Sequence, residues 1–282
     1  MIRMIVSDMD GTLFYGHGPS LFDLTQRNEQ ALQRCRQAGI GFSVASGRTA
    51  LYGETVLRKY GLPHPIVGGF NGAVCVDNGV TQYALTCDCA RMREVVCQLS
   101  TVEPVLCVQA QDLDSRRIFL DPSHSEAQRY RKECRQTGLG SVAEKPLLDV
   151  LDQQPDLQIG KLSVLFADTH SCRQWQQRLQ AQLAESYYVV NTGRGDLLEI
   201  GRRDGNKGTF IRYLSETYGY TPQQIAVIGD AENDLQMFAG SAHRFVMAHA
   251  DPQVKRQADH VVDDVAACID WCLDYNRQHH AG

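Results

Sequence analysis

Short apolar runs, each followed by a turn and then an amphipathic stretch, recur towards both ends of the chain. Ile5 and Val6 read as the end of a buried strand, and Gly11 marks where the backbone must turn. Phe14 to Asp23 is loop-like, with Gly16, Gly18 and Pro19. Thr25 then suits the N-cap of a helix reaching Ala38, with Ala31 and Leu32 on its apolar stripe and Gly39 as its stop. Ile40 to Ala45 predicts a second buried strand, and Thr49 to Tyr60 a second helix closed by Gly61. Strand, helix, strand, helix is the rhythm of a parallel, doubly wound α/β sheet. From Ile66 the apolar runs shorten, and Asn78-Gly79 between two of them predicts a hairpin. Asn71 falls in a turn and reads locally as a supplier of turn geometry.

Between Ala84 and about Gly201 the pattern changes. It predicts a helix from Asp88 to Ser100, strands from Val105 to Ala110 and Arg116 to Leu120, and a polar helix from Ser125 to Thr137. Irregular sequence containing Pro146 and Pro155 leads to a strand from Ile159 to Phe166, a helix from Thr169 to Ser186, and strands from Tyr187 to Val190 and Leu197 to Ile200. Runs of αββ type suggest an antiparallel sheet with helices on one face, a separate α+β domain inserted into the first. The α/β rhythm then resumes. Lys207 opens a helix to Tyr218 that stops at Gly219, and Ile225 to Ile228 is a buried strand followed by a helix carrying Leu235 and Phe238. Phe245 to Met247 predicts a last strand, Val261-Val262 an edge piece, and Val265 to Tyr275 the final helix.

Composition narrows the possibilities. At 282 residues, with 43% apolar and 22% charged positions, the chain is an ordinary globular protein of two domains, or of one domain with a large insertion. A net charge of −5 argues against nucleic acid as the main partner, because phosphate backbones demand a basic face. No apolar run is long enough to cross a bilayer, and two aspartates stand where a signal peptide would be apolar, so a cytoplasmic protein is expected. The ten cysteines are scattered, and neither Cys87-Asp88-Cys89 nor Cys268 with Cys272 has zinc-knuckle spacing, so buried reduced thiols are expected. His279 and His280 read as a polar tail.

The chemistry-bearing residues gather at strand ends. In an extended segment, positions i and i+2 share a face, so Asp8 and Asp10 project together at the C-terminal end of the first strand, where α/β sheets bind ligands. Two adjacent carboxylates repel unless a cation or a shared proton intervenes, and a hard divalent ion, most simply Mg2+, is the economical answer. Asp-X-Asp-Gly also opens calcium loops, but these need a preceding helix and a closing Glu, and here a strand precedes and position 19 is Pro. Ser46-Gly47-Arg48 ends the second strand, where a hydroxyl and free N–H groups at a helix start suit an anion, or simply cap the helix. Lys207 sits against the positive end of a helix dipole, a misplacement that a nearby anion would offset. Gly229-Asp230-Ala231-Glu232-Asn233-Asp234 repeats the Asp8 situation. Asp230 alone would read as a cap; beside Asp8 and Asp10 it reads as a further metal ligand.

Four signals thus stand in order: Asp8-X-Asp10-Gly-Thr-Leu, Ser46-Gly-Arg, Lys207 opening a helix, and Gly229-Asp230-X-X-Asn233-Asp234. Together they resemble the haloacid dehalogenase (HAD) superfamily of phosphohydrolases, over nearly the whole chain. The long insertion looks like the α+β cap of the Cof-type, sugar-phosphatase-like branch, as do Asn71-Gly72-Ala73 and the stretch from Met247 to Val262. Two places depart from that branch. Met247-Ala248-His249-Ala250 stands where relatives usually show Met-Gly-Asn-Ala, and the loop after Leu13 is somewhat longer than usual.

The resemblance implies a Rossmann-like, mostly parallel core from residues 1–83 and 202–282, and a cap from 84–201 that closes over the site and chooses the leaving group. It implies Asp8 as the nucleophile, forming an aspartyl-phosphate, and Asp10 as the acid and then the base, protonated when substrate arrives. Mg2+ would be held by a carboxylate oxygen of Asp8, the backbone carbonyl of Asp10, Asp230, and Asp234 directly or through water. Thr12, Ser46 with Gly47 behind it, and Lys207 would hold phosphoryl oxygens, and Asn233 would orient Lys207 or the phosphate. The implied substrate is a small phosphomonoester, such as a sugar phosphate, with no nucleic-acid or membrane partner and a monomer or weak homodimer as the working state. Three other readings share the chemistry. A phosphomannomutase-like phosphotransferase would pass the phosphoryl group to a sugar, a silent phosphometabolite-binding protein would lack turnover although every catalytic position is occupied, and a transport ATPase would need membrane spans.

Overall fold

The structure is a computed structural model, and the residues described are all except 17–22, 103–104, 114–116, 120–127, 129–130, 133, 136–137, 139, 144, 192–194 and 280–282. The chain begins with β1 (Met4–Ser7), buried along its whole length. Next come α1 (Gln26–Gln37), β2 (Gly41–Ala45), α2 (Ala50–Lys59), β3 (Ile66–Gly69), β4 (Val74–Asp77) and β5 (Val80–Ala84). The Thr25 side chain accepts from the Asn28 N–H, the N-cap its sequence position predicts. Asn78 and Gly79 both have positive φ, 48° and 84°, as a tight two-residue hairpin between β4 and β5 requires.

The following segment contains α3 (Cys89–Leu99), β6 (Val105–Asp112), β7 (Arg117–Phe119), β8 (Ser141–Ala143), α4 (Leu147–Gln153), β9 (Ile159–Phe166), α5 (Thr169–Leu183), β10 (Tyr187–Asn191) and β11 (Leu197–Arg202). The chain ends with α6 (Lys207–Tyr218), β12 (Ile225–Gly229), α7 (Leu235–Phe238), β13 (His243–Met247), α8 (Pro252–Lys255), β14 (His260–Val262) and α9 (Val265–His279).

Among the described residues these elements form two compact units, Met1–Tyr83 with Asn206–Gly282, and Ala84–Gly205. In the first, the sheet order is β14-β13-β12-β1-β2-β3-β4-β5. Every pairing from β14 to β3 is parallel, and β3 with β4 is antiparallel. The doubly wound, mostly parallel core expected from the alternating pattern is therefore present. The register is what matters for the site: Ser7 lies opposite Ile228 on one side and Val44 on the other. The residues that follow all three strands emerge at one C-terminal edge. Phe210, Ile211 and Leu214 of α6 pack against Met4, Val6, Val227 and Val246, each such burial contributing about 1.5–3 kcal/mol. The Asn276 side chain clasps Ile2, accepting from its N–H at 2.6 Å and donating to its carbonyl at 2.7 Å.

In the second unit the order is β10-β11-β9-β6-β7-β8. Met92, Val95, Leu99, Val150, Leu179 and Leu183 from its helices bury against Leu162, Val164 and Ile200 of the sheet, an α+β arrangement. The sheet differs from an all-antiparallel expectation in one pairing: β7 and β8 run parallel, which the long connection between them permits. Helix α4 occupies a stretch expected to be irregular. Pro146 ends the preceding segment as its N-cap, and Leu147, Val150 and Leu151 bury one face of a turn too short to stand out by periodicity. The helix expected over 125–137 lies largely outside the described residues.

The C-terminal helix continues to His279, which stacks on Tyr275 at 4.0 Å, so the polar tail expected there is helical as far as the described residues reach. Eight of the ten cysteines are buried, and burial pushes the Cys35, Cys75 and Cys87 thiols up to about 12. No helix among the described residues is long and apolar enough to cross a membrane.

Candidate active site

The Asp8 N–H still donates to Ile228 O at 2.9 Å, so the last rung of the β1–β12 ladder carries Asp8 to the sheet edge beside Gly229 and Asp230. There Asp8, Asp230 and Asp234 bring carboxylate oxygens to within 4.8 Å of one another. Lys207, at the first position of α6, reaches between them, with Nζ donating to Asp8 Oδ1 and, at 2.5 Å, to Asp234 Oδ1. Lys207 and Asp234 are fully buried.

Asp234 also holds its own loop, its second oxygen accepting the Asp230 and Ala231 N–H groups at 2.8 and 2.9 Å. A β-carbon at Gly229 would overlap that carboxylate, so only glycine allows the loop to fold back so tightly. Thr12 is buried and donates its hydroxyl to Asp230 Oδ1 at 2.6 Å. Gly11, at φ +84°, lets the backbone cross over Asp230: a β-carbon there would lie 2.5 Å from Asp230 Oδ2.

The electrostatics follow from burial. Desolvation, reinforced by the Asp234 and Asp230 charges and opposed by Lys207, pushes Asp8 up to about 8. Burial, with Asp234 beside it, also raises Asp230, against the Thr12 hydrogen bond. For Lys207 burial opposes the charge, but the Asp234 and Asp8 carboxylates outweigh it and hold its pKa above the ordinary value. Three acidic groups against one ammonium leave an excess of negative charge in a cluster of carboxylate oxygens, which fits a hard divalent cation such as magnesium. Asp8, Asp230 and Asp234 are the residues that could hold it.

The Asp10 side chain is not part of that cluster. The strand ends at Ser7, and residues 9–13 form a turn in which Asp10 takes φ −77°, ψ 121° before the left-handed Gly11. The strand alternation used to place Asp8 and Asp10 on one face therefore does not extend to Asp10. Its side chain is 53% exposed and is gripped by Arg48 through two bonds of 2.6 and 2.7 Å. Arg48 is itself laid over the Tyr52 ring at 4.3 Å.

Ser46 lies just past β2, buried, but α2 starts only at Ala50. Its hydroxyl accepts the Arg48 N–H at 3.2 Å and so shapes the turn instead of capping a helix. Gly47 faces the Asn71 side chain, whose Oδ1 would be 3.3 Å from a β-carbon there. Asn233 donates to that same Asn71 Oδ1 at 3.1 Å, so the hydrogen bonds that orient Lys207 come from Asp8 and Asp234, not from Asn233.

Sequence reasoning placed Asn71 in a turn and named His249, but gave neither group of residues a contact at the site. Phe70 and Asn71 have consecutive positive φ of 50° and 58°, a costly conformation that persists because the surroundings hold it. Phe70 N–H donates to Arg48 O at 2.8 Å and Asn71 N–H to Ser46 O at 2.7 Å, tying this turn to the Ser46 loop. Asn followed by Gly before an apolar run was the available signal. His249 was the other: its Nε2 lies 3.7 Å from Asp230 Oδ2, and its ring stacks on Tyr15.

A family model for haloacid dehalogenase-like hydrolases matches residues 5–267. The chain belongs to this family and is a hydrolase of the phosphatase type. Among curated relatives, an HMP-PP phosphatase of Klebsiella pneumoniae is 25% identical over 93% of this chain and 89% of its own length. A phosphoglycolate phosphatase of Pyrobaculum aerophilum is 24% identical over the same shares. Among solved structures, a haloacid dehalogenase-like hydrolase from Bacteroides thetaiotaomicron superposes with a TM-score of 0.79 at 20% identity, covering 96% of this chain and all of that one. One from B. subtilis gives 0.78 at 18% identity, covering 95% and 99%. At these identities the structures speak for the fold.

Proposed function

We propose that this hydrolase is a Mg2+-dependent phosphatase acting on a small phosphorylated metabolite, a sugar phosphate or similar, through an aspartyl-phosphate. The observation that carries the reading is the convergence of Asp8, Asp230 and Asp234 past the C-terminal ends of two adjacent parallel strands, with Lys207 bonded to Asp8 and Asp234. The ion would be held by Asp8 and Asp230, with the Asp10 carbonyl and Asp234 completing its surroundings, and it supplies positive charge to the phosphoryl oxygens.

The chain's own residues perform the transfer. An Asp8 carboxylate oxygen attacks phosphorus as the bond to the leaving oxygen breaks, and Asp10, protonated once released from Arg48, gives that leaving oxygen its proton. Asp10 then takes a proton from water, whose oxygen attacks phosphorus and releases Asp8 as a carboxylate with inorganic phosphate. Lys207 and the Ser46 hydroxyl, with the Gly47 N–H beside it, hold the transferred oxygens. Thr12 and Asn233 act one step back: Thr12 fixes Asp230, and Asn233 fixes the turn at Asn71. The inserted unit, 84–205, selects the leaving group. Buried thiols suit a reducing, cytoplasmic setting.

The test is magnesium-dependent release of phosphate from p-nitrophenyl phosphate and from a panel of phosphorylated sugars, nucleotides and cofactor precursors. Asp8→Asn should abolish it with the fold intact; residual turnover in that variant, free of wild-type enzyme, would overturn the nucleophile assignment.

A further inference from the structure

The proposed chemistry requires Asp10 to deliver a proton, yet its side chain is held by Arg48, with Nε donating to Oδ2 at 2.7 Å and a terminal nitrogen to Oδ1 at 2.6 Å. The guanidinium is the better fixed of the two partners. It lies over the Tyr52 ring at 4.3 Å, Tyr52 is buried with Phe14 edge-on to it, and the Arg48 carbonyl accepts the Phe70 N–H at 2.8 Å. The Arg48 side chain is 25% exposed and that of Asp10 53%, so solvent reaches the pair and the contact is of the weakly stabilising, readily exchanged kind. When Asp10 turns to the leaving oxygen, it leaves behind an oriented fork of N–H donors that matches a carboxylate or a phosphate.

We propose that Arg48 is the receptor for a second anionic group on the leaving part of the substrate, a carboxylate or a phosphate, which takes the guanidinium from Asp10 and so releases Asp10 for its acid–base role. The inference rests on the phosphatase reading above and narrows its substrate class to phosphomonoesters that carry another negative charge. Arg48 acts here as a positioning and specificity residue, not as a proton carrier. With an anionic leaving group the fork changes partner and stays paired. With a neutral one, Asp10 must give up two charge-assisted bonds and nothing replaces them on the guanidinium. Contact lengths set the reach. Asp10 donates to the leaving oxygen across about 2.7 Å and meets Arg48 across about the same distance, so the guanidinium lies within about 8 Å of that oxygen, the span of a two- or three-carbon chain ending in an acidic group and its own hydrogen bond.

3-Phosphoglycerate and glycerol 3-phosphate share a skeleton and differ in a carboxylate against a hydroxymethyl group. Each is tested on the full chain with Mg2+ as a competitor of p-nitrophenyl phosphate turnover, which reads occupancy whether or not the competitor is cleaved. Wild type should bind the acid tighter by about tenfold or more. Arg48→Met should bring the two inhibition constants within about twofold of each other, through a loss on the acid alone. Its kcat on p-nitrophenyl phosphate should rise by about twofold or more, because Asp10 is no longer held. Arg48→Lys, which keeps the charge and loses the fork, should fall between and stands in if Arg48→Met does not fold. An unchanged preference in Arg48→Met would overturn the proposal, and so would an equal loss for both esters or a fall in kcat, either of which would leave Arg48 a prop for Asp10 alone. A wild type that turned over p-nitrophenyl phosphate but bound the two esters equally would sink this inference and leave the phosphatase reading standing; a wild type inert with magnesium toward every phosphomonoester would remove both.

Discussion

Lys207 Nζ lies 2.5 Å from Asp234 Oδ1, with neither side chain reaching solvent, while the other oxygen of Asp234 takes the N–H groups of Asp230 and Ala231. A single carboxylate thus couples the ammonium on one helix to the backbone that carries Asp230. The pair therefore holds this part of the fold together.

Removing the ammonium should therefore cost stability before it costs chemistry. Lys207→Met leaves Asp8 and Asp234 buried without a counter-charge, and the expected loss is about 3–5 kcal/mol in urea unfolding. Magnesium should recover part of it, because the ion then becomes the only positive charge in the cluster. A loss below about 1 kcal/mol would show that the network is not what holds this edge.

Stability without metal should fall as pH rises. Asp8 is pushed up to about 8 from its ordinary 3.8, so the folded protein keeps a proton that the unfolded chain releases. The resulting stabilisation is complete below the unfolded value and is lost as pH climbs through the folded one. Because magnesium competes with that proton, the melting-temperature gain from the ion should grow over the same interval. Melting curves with and without Mg2+ between roughly pH 5 and 9 check both trends, and a flat magnesium effect would contradict them.

Thr12→Val keeps the shape of the side chain and deletes its hydrogen bond to Asp230 Oδ1. Magnesium affinity should drop by about 10–100-fold, with Thr12→Ser restoring most of it. If Thr12 contacted phosphate instead, KM would rise with the metal affinity unchanged.

At Asn71, with φ 58°, backbone and side-chain effects can be separated. Asn71→Ala meets the left-handed penalty of about 1–2 kcal/mol and loses the contact with Asn233, whereas Asn71→Gly loses only the contact. Chemical denaturation should rank wild type above Gly above Ala; equal losses would mean that the turn relaxes freely.

Where the sequence could be read and where it could not follows from the range of each interaction. The parallel core and the strand-end positions of Asp8 and Asp230 depend on local apolar runs, and these are visible in the pattern. Asp10 escapes because a period-two argument assumes the strand continues, whereas the chain leaves the sheet at Ser7 and turns at Gly11. Thr12 is carried inward by the same turn. Ser46 looks like a cap only if a helix starts beside it, and the helix starts at Ala50. Lys207 sits 27 positions from Asp234, Asn71 162 from Asn233 and Asp230 19 from His249, distances over which no periodicity carries information.

All the groups assigned to the transfer and to the ion come from residues 1–83 and 206–282, and none from the intervening stretch. The reactive machinery and the inserted unit can therefore diverge on separate schedules. On the proposed reading, substitutions in the inserted unit would change what is recognised without disturbing the charge balance around Lys207.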